Sequence, residues 1–229
     1  MNIPAMGSKG ECRLCGKTYS KAGMTRHIEA CLRNKEAVEA ESLKPGGAGF
    51  YHIRAQGYGL PGCWYWMHLQ VRRDATLRDL DDFLRDTWLE CCGHLSAFTI
   101  KGKQYASDPM KDWITQGMKV PLRRVLSSGE EFIHEYDFGT TTVLELKLVS
   151  RHEAGLGEGE GLIQVLARNS PPRIRCSVCG EEATQLCVDC ILEEGGLLCE
   201  ECASSHGCGE DMLLPVVNSP RVGQCGYCG

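Results

Sequence analysis

The feature that most constrains this chain is the spacing of its cysteines. The sequence holds 15 cysteines in 229 residues, and ten of them form five Cys-x-x-Cys pairs. Two cysteines at this spacing are poorly placed to form a disulfide with each other, but they can bind one metal ion together. The pairs are Cys12/Cys15, Cys176/Cys179, Cys187/Cys190, Cys199/Cys202 and Cys225/Cys228. Paired spacing without an export signal predicts metal binding.

The sequence also predicts a reducing environment for these thiols. Residues 1–15 lack a basic start followed by an apolar stretch, so we expect no secretory signal. No apolar run approaches the ~20 residues that cross a bilayer, so we expect no membrane segment. We therefore predict a cytoplasmic protein, in which metal sites are favoured over structural disulfides.

The N-terminal region predicts a small zinc finger. Its spacing is Cys-x2-Cys-x11-His-x3-Cys, and the predicted ligands are Cys12, Cys15, His27 and Cys31. A hairpin would carry the two cysteines of the pair, and a helix would place the last two ligands, four residues apart, on one face. Four sulfur and nitrogen ligands in a tetrahedron suit zinc, and metal binding supplies much of the folding free energy of so small a unit.

The C-terminal region predicts two further zinc sites. Eight ligands follow one another as C-x2-C-x7-C-x2-C-x8-C-x2-C-x3-H-x-C. We favour an interleaved cross-brace over consecutive pairing, because consecutive pairing would close a tight seven-residue loop between Cys179 and Cys187. The predicted sets are Cys176, Cys179, Cys199 and Cys202 for one ion, and Cys187, Cys190, His206 and Cys208 for the other.

The last ligand of the second set stays open at this point. Cys225 and Cys228 compete with Cys208 for it, and Asp211 is a weaker candidate. The tetrapeptide from Cys225 to Cys228 also resembles a redox dithiol, an interpretation that we do not favour. The sequence thus predicts three zinc ions per chain.

Two breaks divide the chain into three regions. Lysine, proline and glycines at 44–47 predict a linker, and Pro171-Pro172 marks a second boundary. The predicted regions are a finger with its trailing helix (1–45), an α+β domain (46–170) and a cysteine-rich cross-brace module (171–229). A glycine-rich stretch at 155–161 predicts a flexible loop within the second region.

The middle region predicts a sheet with one principal helix on one face. Alternation predicts a strand at 63–71. Thr76 is the predicted helix cap, with Asp79 completing a capping box. Further strands are expected at 95–100, 131–138 and 142–149, with a short helix at 121–126.

Cys91, Cys92 and His94 follow the principal helix. Cysteine is among the most frequently buried residue types, so core packing is favoured here over a metal or nucleophile site. A relay of His94, His134 and Asp137 with a cysteine is a weaker alternative. Trp64 and Trp66 share a strand face with His68 and could stack nucleic-acid bases, but core burial is the default expectation.

Several short motifs in residues 49–229 occur together. They are Leu77-x2-Leu80, Trp88, His94-Leu95-x2-Phe98, Ile100-x-Gly102-x2-Tyr105, Tyr136-Asp137-Phe138-Gly139, the run from Leu214 to Arg221, Gly223 and Cys225-Gly226-Tyr227. Together they resemble the plasmid pRi-type ORF-three-like domain family, which includes TnpR-like passengers of insertion elements. The resemblance implies an α+β fold and little about activity. Thr140 departs from the family, which commonly has an acidic residue there, and the N-terminal finger is an addition to it.

The functional prediction follows from the ligands and from the charge. A zinc ion with four protein ligands has no open position for a substrate, so we predict a non-catalytic binding or adaptor protein with an unknown protein partner. Residues 1–45 carry eight Lys/Arg against five Asp/Glu, so nucleic-acid binding through the finger is the alternative. Residues 171–229 carry three against nine, which disfavours phosphate binding there. A cysteine- or zinc-dependent enzyme is the second alternative.

Overall fold

The computed structural model describes residues 8–39, 49–109, 116–153, 161–191 and 195–229, with the Glu39 side chain excepted. The linker predicted at 44–47 and most of the glycine-rich stretch at 155–161 lie outside these residues. Within them the fold is α+β, as predicted, with a large sheet, one long helix and small cysteine-rich units. In these ranges, no helix combines the length and the apolar character needed to cross a bilayer.

Ten strands of the described chain form one sheet. In chain order they are β1 (Lys9–Cys12), β2 (Thr18–Ser20), β3 (Phe50–Tyr58), β4 (Trp64–Arg72), β5 (Ser96–Ile100), β6 (Lys103–Ala106), β7 (Gln116–Gly117), β8 (Glu131–Tyr136), β9 (Thr142–His152) and β10 (Ile163–Asn169). Their spatial order is β2-β1-β10-β4-β3-β9-β8-β5-β6-β7. Neighbouring strands are antiparallel except β6 and β7, which are parallel.

The remaining elements are the helices, of which one is long, and a second, smaller sheet. The helices are α1 (Lys21–Glu39), α2 (Leu77–Leu84), α3 (Leu122–Val125) and α4 (Glu200–Ser204). A π-helical turn (Arg85–Leu89) continues α2, and a 3-10 turn spans Glu210–Met212. Three short strands, β11 (Gln185–Cys187), β12 (Leu197–Leu198) and β13 (Leu213–Pro215), form a second sheet in the order β12-β11-β13.

The principal helix of the middle region begins as its capping box predicts. The Asp79 backbone N–H donates to Thr76 Oγ1 at 3.2 Å, and the Thr76 N–H donates to Asp79 Oδ2 at 2.7 Å. These two bonds satisfy N–H groups that the first turn of a helix leaves without intrahelical partners. Strands β3 and β10, which flank β4 on its two sides, were not predicted from the sequence.

The large sheet is covered on both faces. On one face Met67 and Leu69 of β4 belong to the main core, together with Leu80 and Trp88 of the α2 region. On the other face Trp66, fully buried, packs with apolar residues of α1. The expectation of core burial therefore holds for Trp66, whereas Trp64 is 37% exposed.

The N-terminal hairpin extends this sheet. Strand β1 pairs antiparallel with β10, and Cys12 lies opposite Ala167. Helix α1 follows β2 directly and buries Met24, Ile28 and Leu32 against the sheet. Each such side chain contributes roughly 1.5–3 kcal/mol when it is fully buried rather than exposed. The finger region is thus joined to the sheet by backbone pairing and by apolar contact.

The segment after β13 returns to the main core. Val222 is buried in that core. Ser219 is also buried, and its hydroxyl donates to the Trp88 carbonyl at 2.5 Å. Arg221 is fully buried, and its Nη2 donates to Asp137 Oδ2 at 2.6 Å. These contacts bring Cys225 close to the end of the α2 region.

Candidate metal centres

Four groups of cysteine and histidine side chains in the described residues could each hold a metal ion. In each group one ligand atom from every residue lies within 4.8 Å of all the others. We name them the finger cluster (Cys12, Cys15, His27, Cys31), the four-thiol cluster (Cys176, Cys179, Cys199, Cys202), the mixed cluster (Cys187, Cys190, His206, Cys208) and the bridging cluster (Cys91, Cys92, His94, Cys225). All the cysteines are described and are free thiols, and Cys63 and Cys228 belong to none of these clusters.

The finger cluster is assembled from the β1–β2 hairpin and helix α1. His27 Nε2 lies 3.1 Å from Cys15 Sγ and 3.4 Å from Cys31 Sγ. The Cys15 and Cys31 sulfurs are 3.7 Å apart, far beyond the roughly 2.05 Å of a disulfide. The Tyr19 ring stacks on the His27 ring at a centroid distance of 4.0 Å and fixes its orientation.

Two of the Cys-x-x-Cys pairs share one backbone turn. The Gly16 N–H donates to the Cys12 carbonyl at 2.7 Å, and the Gly180 N–H donates to the Cys176 carbonyl at 3.0 Å. Both glycines have positive φ, +73° and +81°, which glycine adopts without the penalty of a Cβ atom. A glycine directly after the second cysteine is therefore a sequence signal for this turn.

The C-terminal clusters are interleaved along the chain. Cys179 Sγ lies 3.6 Å from Cys199 Sγ, and Cys199 caps α4 by accepting the Cys202 N–H at 3.5 Å. Cys190 Sγ lies 3.5 Å from His206 Nε2. Each set thus joins a pair from the first part of the module to ligands from the second, which is the pairing that spacing favours. That these residues bind an ion stays a prediction.

Cys208 takes the position that the sequence left open. Its Sγ lies 3.5 Å from Cys190 Sγ, within the mixed cluster. Cys225 belongs instead to the bridging cluster, and the Cys228 thiol donates to the Gly226 carbonyl at 3.2 Å.

The backbone around the C-terminal pairs favours thiolates. Burial raises the pKa of Cys176, but N–H groups of Cys179, Cys199 and Val178 outweigh it and lower that pKa to about 6. Burial likewise raises the pKa of Cys187, and donors that include the Cys190 N–H and His206 lower it to about 7. Since the thiolate is the metal-binding form, these donors prepare the sulfurs for a cation.

The pKa is raised, rather than lowered, for two other thiols of these clusters, Cys190 and Cys31. Hydrogen bonds with Cys208 and Cys187 raise the pKa of Cys190 to about 12. Burial and the neighbouring Cys15 raise the pKa of Cys31 to about 12. Adjacent thiolates repel one another, so a second negative charge in such a cluster requires a cation between the sulfurs.

The bridging cluster corrects a prediction from the sequence. Core packing was expected for the cysteines near 91–94, and half-buried Cys91 does pack against the main core, but Cys92 is exposed and His94 is half-buried. Cys92 Sγ lies 3.7 Å from Cys91 Sγ and 3.0 Å from His94 Nε2. The fourth member, Cys225, lies 133 positions from Cys92, so no local spacing could have indicated this group.

The weaker alternative, a relay of His94, His134 and Asp137, is brought together only in part, because His134 lies elsewhere. The His134 Nε2 atom lies 2.7 Å from Asp81 Oδ1 of α2, and both side chains are fully buried. Asp137 binds Arg221 and lies 3.4 Å from His94 Nε2. His134 therefore pairs with Asp81 rather than with His94 or Asp137.

The comparisons with known proteins do not identify a family. No family model and no curated protein matches the chain. A similar solved structure is that of the protein of unknown function MM3350 from Methanosarcina mazei Go1. It shares 18% sequence identity, covers 52% of this chain and 68% of that chain, and has a TM-score of 0.44. Similarity at this level assigns neither a family nor a function.

Proposed function

We propose that this protein is a zinc-stabilised, non-catalytic adaptor that binds a protein partner. The observation that carries the proposal is the convergence of complete sets of four sulfur or nitrogen donors in the finger, four-thiol and mixed clusters. A structural zinc site is closed by four protein ligands, whereas a catalytic site keeps one position for water or substrate. The donor sets match the closed kind.

Zinc fits the spacing of the donors. Zinc–sulfur bonds of about 2.3 Å in a tetrahedron give sulfur–sulfur edges of about 3.8 Å. The measured sulfur–sulfur distances are 3.7 Å in the finger cluster, 3.6 Å in the four-thiol cluster and 3.5 Å in the mixed cluster. Thiolate and imidazole donors in this geometry favour zinc over magnesium or calcium, which prefer oxygen. Three zinc ions would occupy these three clusters.

The partner-binding surface that we propose includes the tip of the first C-terminal turn. Val178 lies between Cys176 and Cys179 and is 70% exposed. Zinc bound to the four-thiol cluster would hold this residue in a fixed position. Rigid presentation lowers the entropy lost when a partner binds.

The test compares partner capture by the zinc-loaded chain, the chelated chain and two surface variants. Val178→Asp leaves every ligand intact, so we expect normal zinc content and loss of capture. Val38→Asp on α1 is the matched control, because Val38 is 84% exposed and lies in the finger region. The adaptor proposal fails if chelation leaves both secondary structure and partner capture unchanged.

The resemblance of residues 49–229 to the insertion-element passenger family remains a proposal about ancestry. It adds no catalytic residue. The enzyme alternative has one geometric support, the 3.0 Å distance between Cys92 Sγ and His94 Nε2. The same nitrogen lies 3.2 Å from Cys225 Sγ, so it is shared by two thiols rather than dedicated to one nucleophile.

A second candidate function is nucleic-acid binding through the finger, and the direction of its acidic residues favours it. Glu29 of α1 contacts His52 Nδ1 at 2.7 Å, and Glu36 contacts His152 Nδ1 at 3.2 Å, so both carboxylates turn toward the sheet. The basic side chains of the finger that are exposed include Arg13, Lys17, Arg26 and Arg33. Among the described side chains of α1, Arg26 and Arg33 therefore face solvent while Glu29 and Glu36 face the sheet.

A duplex-binding titration over a series of salt concentrations tests this candidate. Each phosphate contact should contribute about −0.9 to the slope of log K against log salt. The double variant Arg26→Glu/Arg33→Glu should weaken binding and flatten the slope, whereas Lys103→Glu on distant β6 should change neither. A flat salt dependence for the unmodified protein excludes phosphate contacts.

A further inference from the structure

We propose that the bridging cluster of Cys91, Cys92, His94 and Cys225 is a fourth zinc site. Its ion would link the C-terminal segment, which follows β13, to the end of the α2 region. The proposal is independent of the adaptor role, since it concerns different ligands and a different readout. It differs from the other clusters because it contains no Cys-x-x-Cys turn of its own.

The distances within the cluster fit one tetrahedral ion. Cys92 Sγ lies 3.7 Å from Cys91 Sγ and 3.7 Å from Cys225 Sγ, close to the edge of about 3.8 Å expected around zinc. His94 Nε2 lies 3.0 Å from Cys92 Sγ and 3.2 Å from Cys225 Sγ. Three sulfurs and one imidazole nitrogen form a closed ligand set of the structural type.

A buried arginine donates a hydrogen bond to one ligand of the bridging cluster. Arg221 is fully buried, and its Nη2 donates to Cys91 Sγ at 3.5 Å and to Asp137 Oδ2 at 2.6 Å. Its Nη1 donates to the Thr140 carbonyl at 2.8 Å, which fixes the guanidinium plane. Zinc with three thiolates carries a net charge of −1, and the Arg221 guanidinium, which the cluster shares with Asp137, places positive charge beside Cys91. Groups that orient and balance the ligands in this way are a regular part of metal sites.

The backbone at Cys225 is held in an unfavourable conformation. Its φ is +48°, a region that side chains with a Cβ atom rarely adopt. Such residues persist where the surroundings hold them in place. Tyr227, two residues later, is buried and fixes the segment on that side, which leaves the Cys225 thiol pointing at the cluster.

An ion here would close a long loop of the chain. Cys92 and Cys225 are 133 positions apart, and both are exposed. A cross-link over so many residues removes much entropy from the unfolded chain. Exposure of two ligands also makes this ion the most accessible to chelators, so its loss would release the C-terminal segment before the other clusters lose their ions.

Native mass spectrometry of the full-length, zinc-loaded chain tests the assignment. We expect four zinc ions in the unmodified protein and three in both Cys92→Ser and Cys225→Ser. Cys228→Ser is the matched control, because this exposed thiol lies three residues from Cys225 and outside the cluster, and it should keep four ions. If Cys92→Ser and Cys225→Ser both keep the ion count of the unmodified protein, whatever that count is, the proposal is overturned.

Two further readouts guard against a variant that fails to fold. With cobalt in place of zinc, the unmodified-minus-Cys225→Ser difference spectrum should contain a thiolate charge-transfer band. Amides of 219–227 should exchange at least tenfold faster in Cys92→Ser, while α4 keeps its protection. A difference spectrum without that band, or exchange unchanged at 219–227, counts against the fourth site. Partner capture is unaffected by these outcomes, so failure here is distinct from failure of the adaptor proposal.

Discussion

The finger and the mixed-cluster end of the C-terminal module use the same ligand types but have different structural support. In the finger, α1 buries three apolar residues against the large sheet, and β1 pairs with β10. Around the mixed cluster, the buried core consists of Cys187, Leu198 and Ala203, and the nearby strands are two or three residues long. The finger therefore has helix packing and a strand ladder in addition to its ligands. The mixed cluster has short strands and the main-core contacts of Leu186 and Val188 beside Cys187, so it depends more on its ligands.

The four-thiol cluster lies between these two cases. Ile174 and Ala183, which flank its first pair, belong to the main core. The same kind of metal site can therefore be a reinforcement in one region and the principal source of stability in another. The number of zinc ligands alone does not say how much a region depends on zinc.

Chelation should separate the two regions most clearly. Structural zinc contributes roughly 10–16 kcal/mol of apparent binding free energy in small metal-dependent units. Helix α4 carries Cys202 of the four-thiol cluster and precedes His206 of the mixed cluster, so it should unfold when both ions are removed. Helix α1 should keep part of its amide protection because Met24, Ile28 and Leu32 still contact the sheet. Hydrogen exchange at increasing chelator concentration measures this, with α2 as the internal reference. Simultaneous loss of protection in α1 and α4 would contradict the comparison.

Packing of the finger helix should be measurable on its own. Ile28 is fully buried between α1 and the sheet, so Ile28→Ala should destabilise the finger region by about 2–5 kcal/mol. Val38→Ala on the same helix is the control, because Val38 is 84% exposed and should change stability by less than about 0.5 kcal/mol. Local unfolding free energies from hydrogen exchange would give both values. Equal effects would mean that α1 is held by its metal ligands alone.

The buried contact between Asp81 and His134 offers a reference region whose stability depends on pH through the Asp81 carboxylate. Burial raises the pKa of Asp81, but the hydrogen bond and charge of His134, with contributions from Ser96 and Arg85, lower it below its ordinary value. Asp81→Asn should cost about 1–3 kcal/mol, since it removes a buried charge that His134 contacts at 2.7 Å. Asp82→Asn, whose side chain is 57% exposed, is the control.

The sign of the pH dependence follows from that lowered pKa. The contribution of Asp81 should be fully present above its unfolded-state pKa of about 3.9 and should disappear as pH falls through the folded value. Urea titrations of the unmodified protein and of Asp81→Asn should therefore converge below about pH 4. Thiol protonation affects both proteins alike, so the difference between them isolates Asp81. If the difference in unfolding free energy between the two proteins grew as the pH fell, the folded state would not stabilise the Asp81 carboxylate.

Local patterns predicted the parts of this fold that are local in sequence. The capping box at Thr76 depends on residues three positions apart, and the finger ligands all lie between positions 12 and 31. The interleaved pairing of Cys176 and Cys187 with their distant ligands could also be favoured, because loop length penalises the alternative. In each case the sequence separation itself carries the structural information.

The missed features depend on contacts between distant segments. Strand β10 is flanked by β1 and β4 on its two sides, and its position is set by partners more than ninety positions away, such as Val71 for Ile163. The bridging cluster needs Arg221 and Cys225 to return to the α2 region. A run of Cys91, Cys92 and His94 without a fourth local ligand matches buried packing as well as it matches a metal site. Only the path of the C-terminal segment, which brings Cys225 to these residues, distinguishes a metal site from buried packing.

Two glycines of the finger should respond to alanine with opposite signs. A Cβ atom at Gly10 would lie 2.2 Å from the Arg168 carbonyl oxygen and 2.6 Å from Trp66, so Gly10→Ala should separate β1 from β10 and cost about 1–3 kcal/mol. A Cβ atom at Gly23 would make ordinary contacts of 3.6–3.7 Å with Ser20 and Tyr19 of β2, so Gly23→Ala should stabilise the helix by up to about 1 kcal/mol. Thermal unfolding of the zinc-loaded chain measures both changes.

If pairing with the large sheet supports the finger, Gly10→Ala should also make the finger cluster release its ion at a lower chelator concentration, whereas Gly23→Ala should not. Equal chelator sensitivity of the two variants would mean that the ligands alone hold the finger, as they are proposed to hold the mixed cluster.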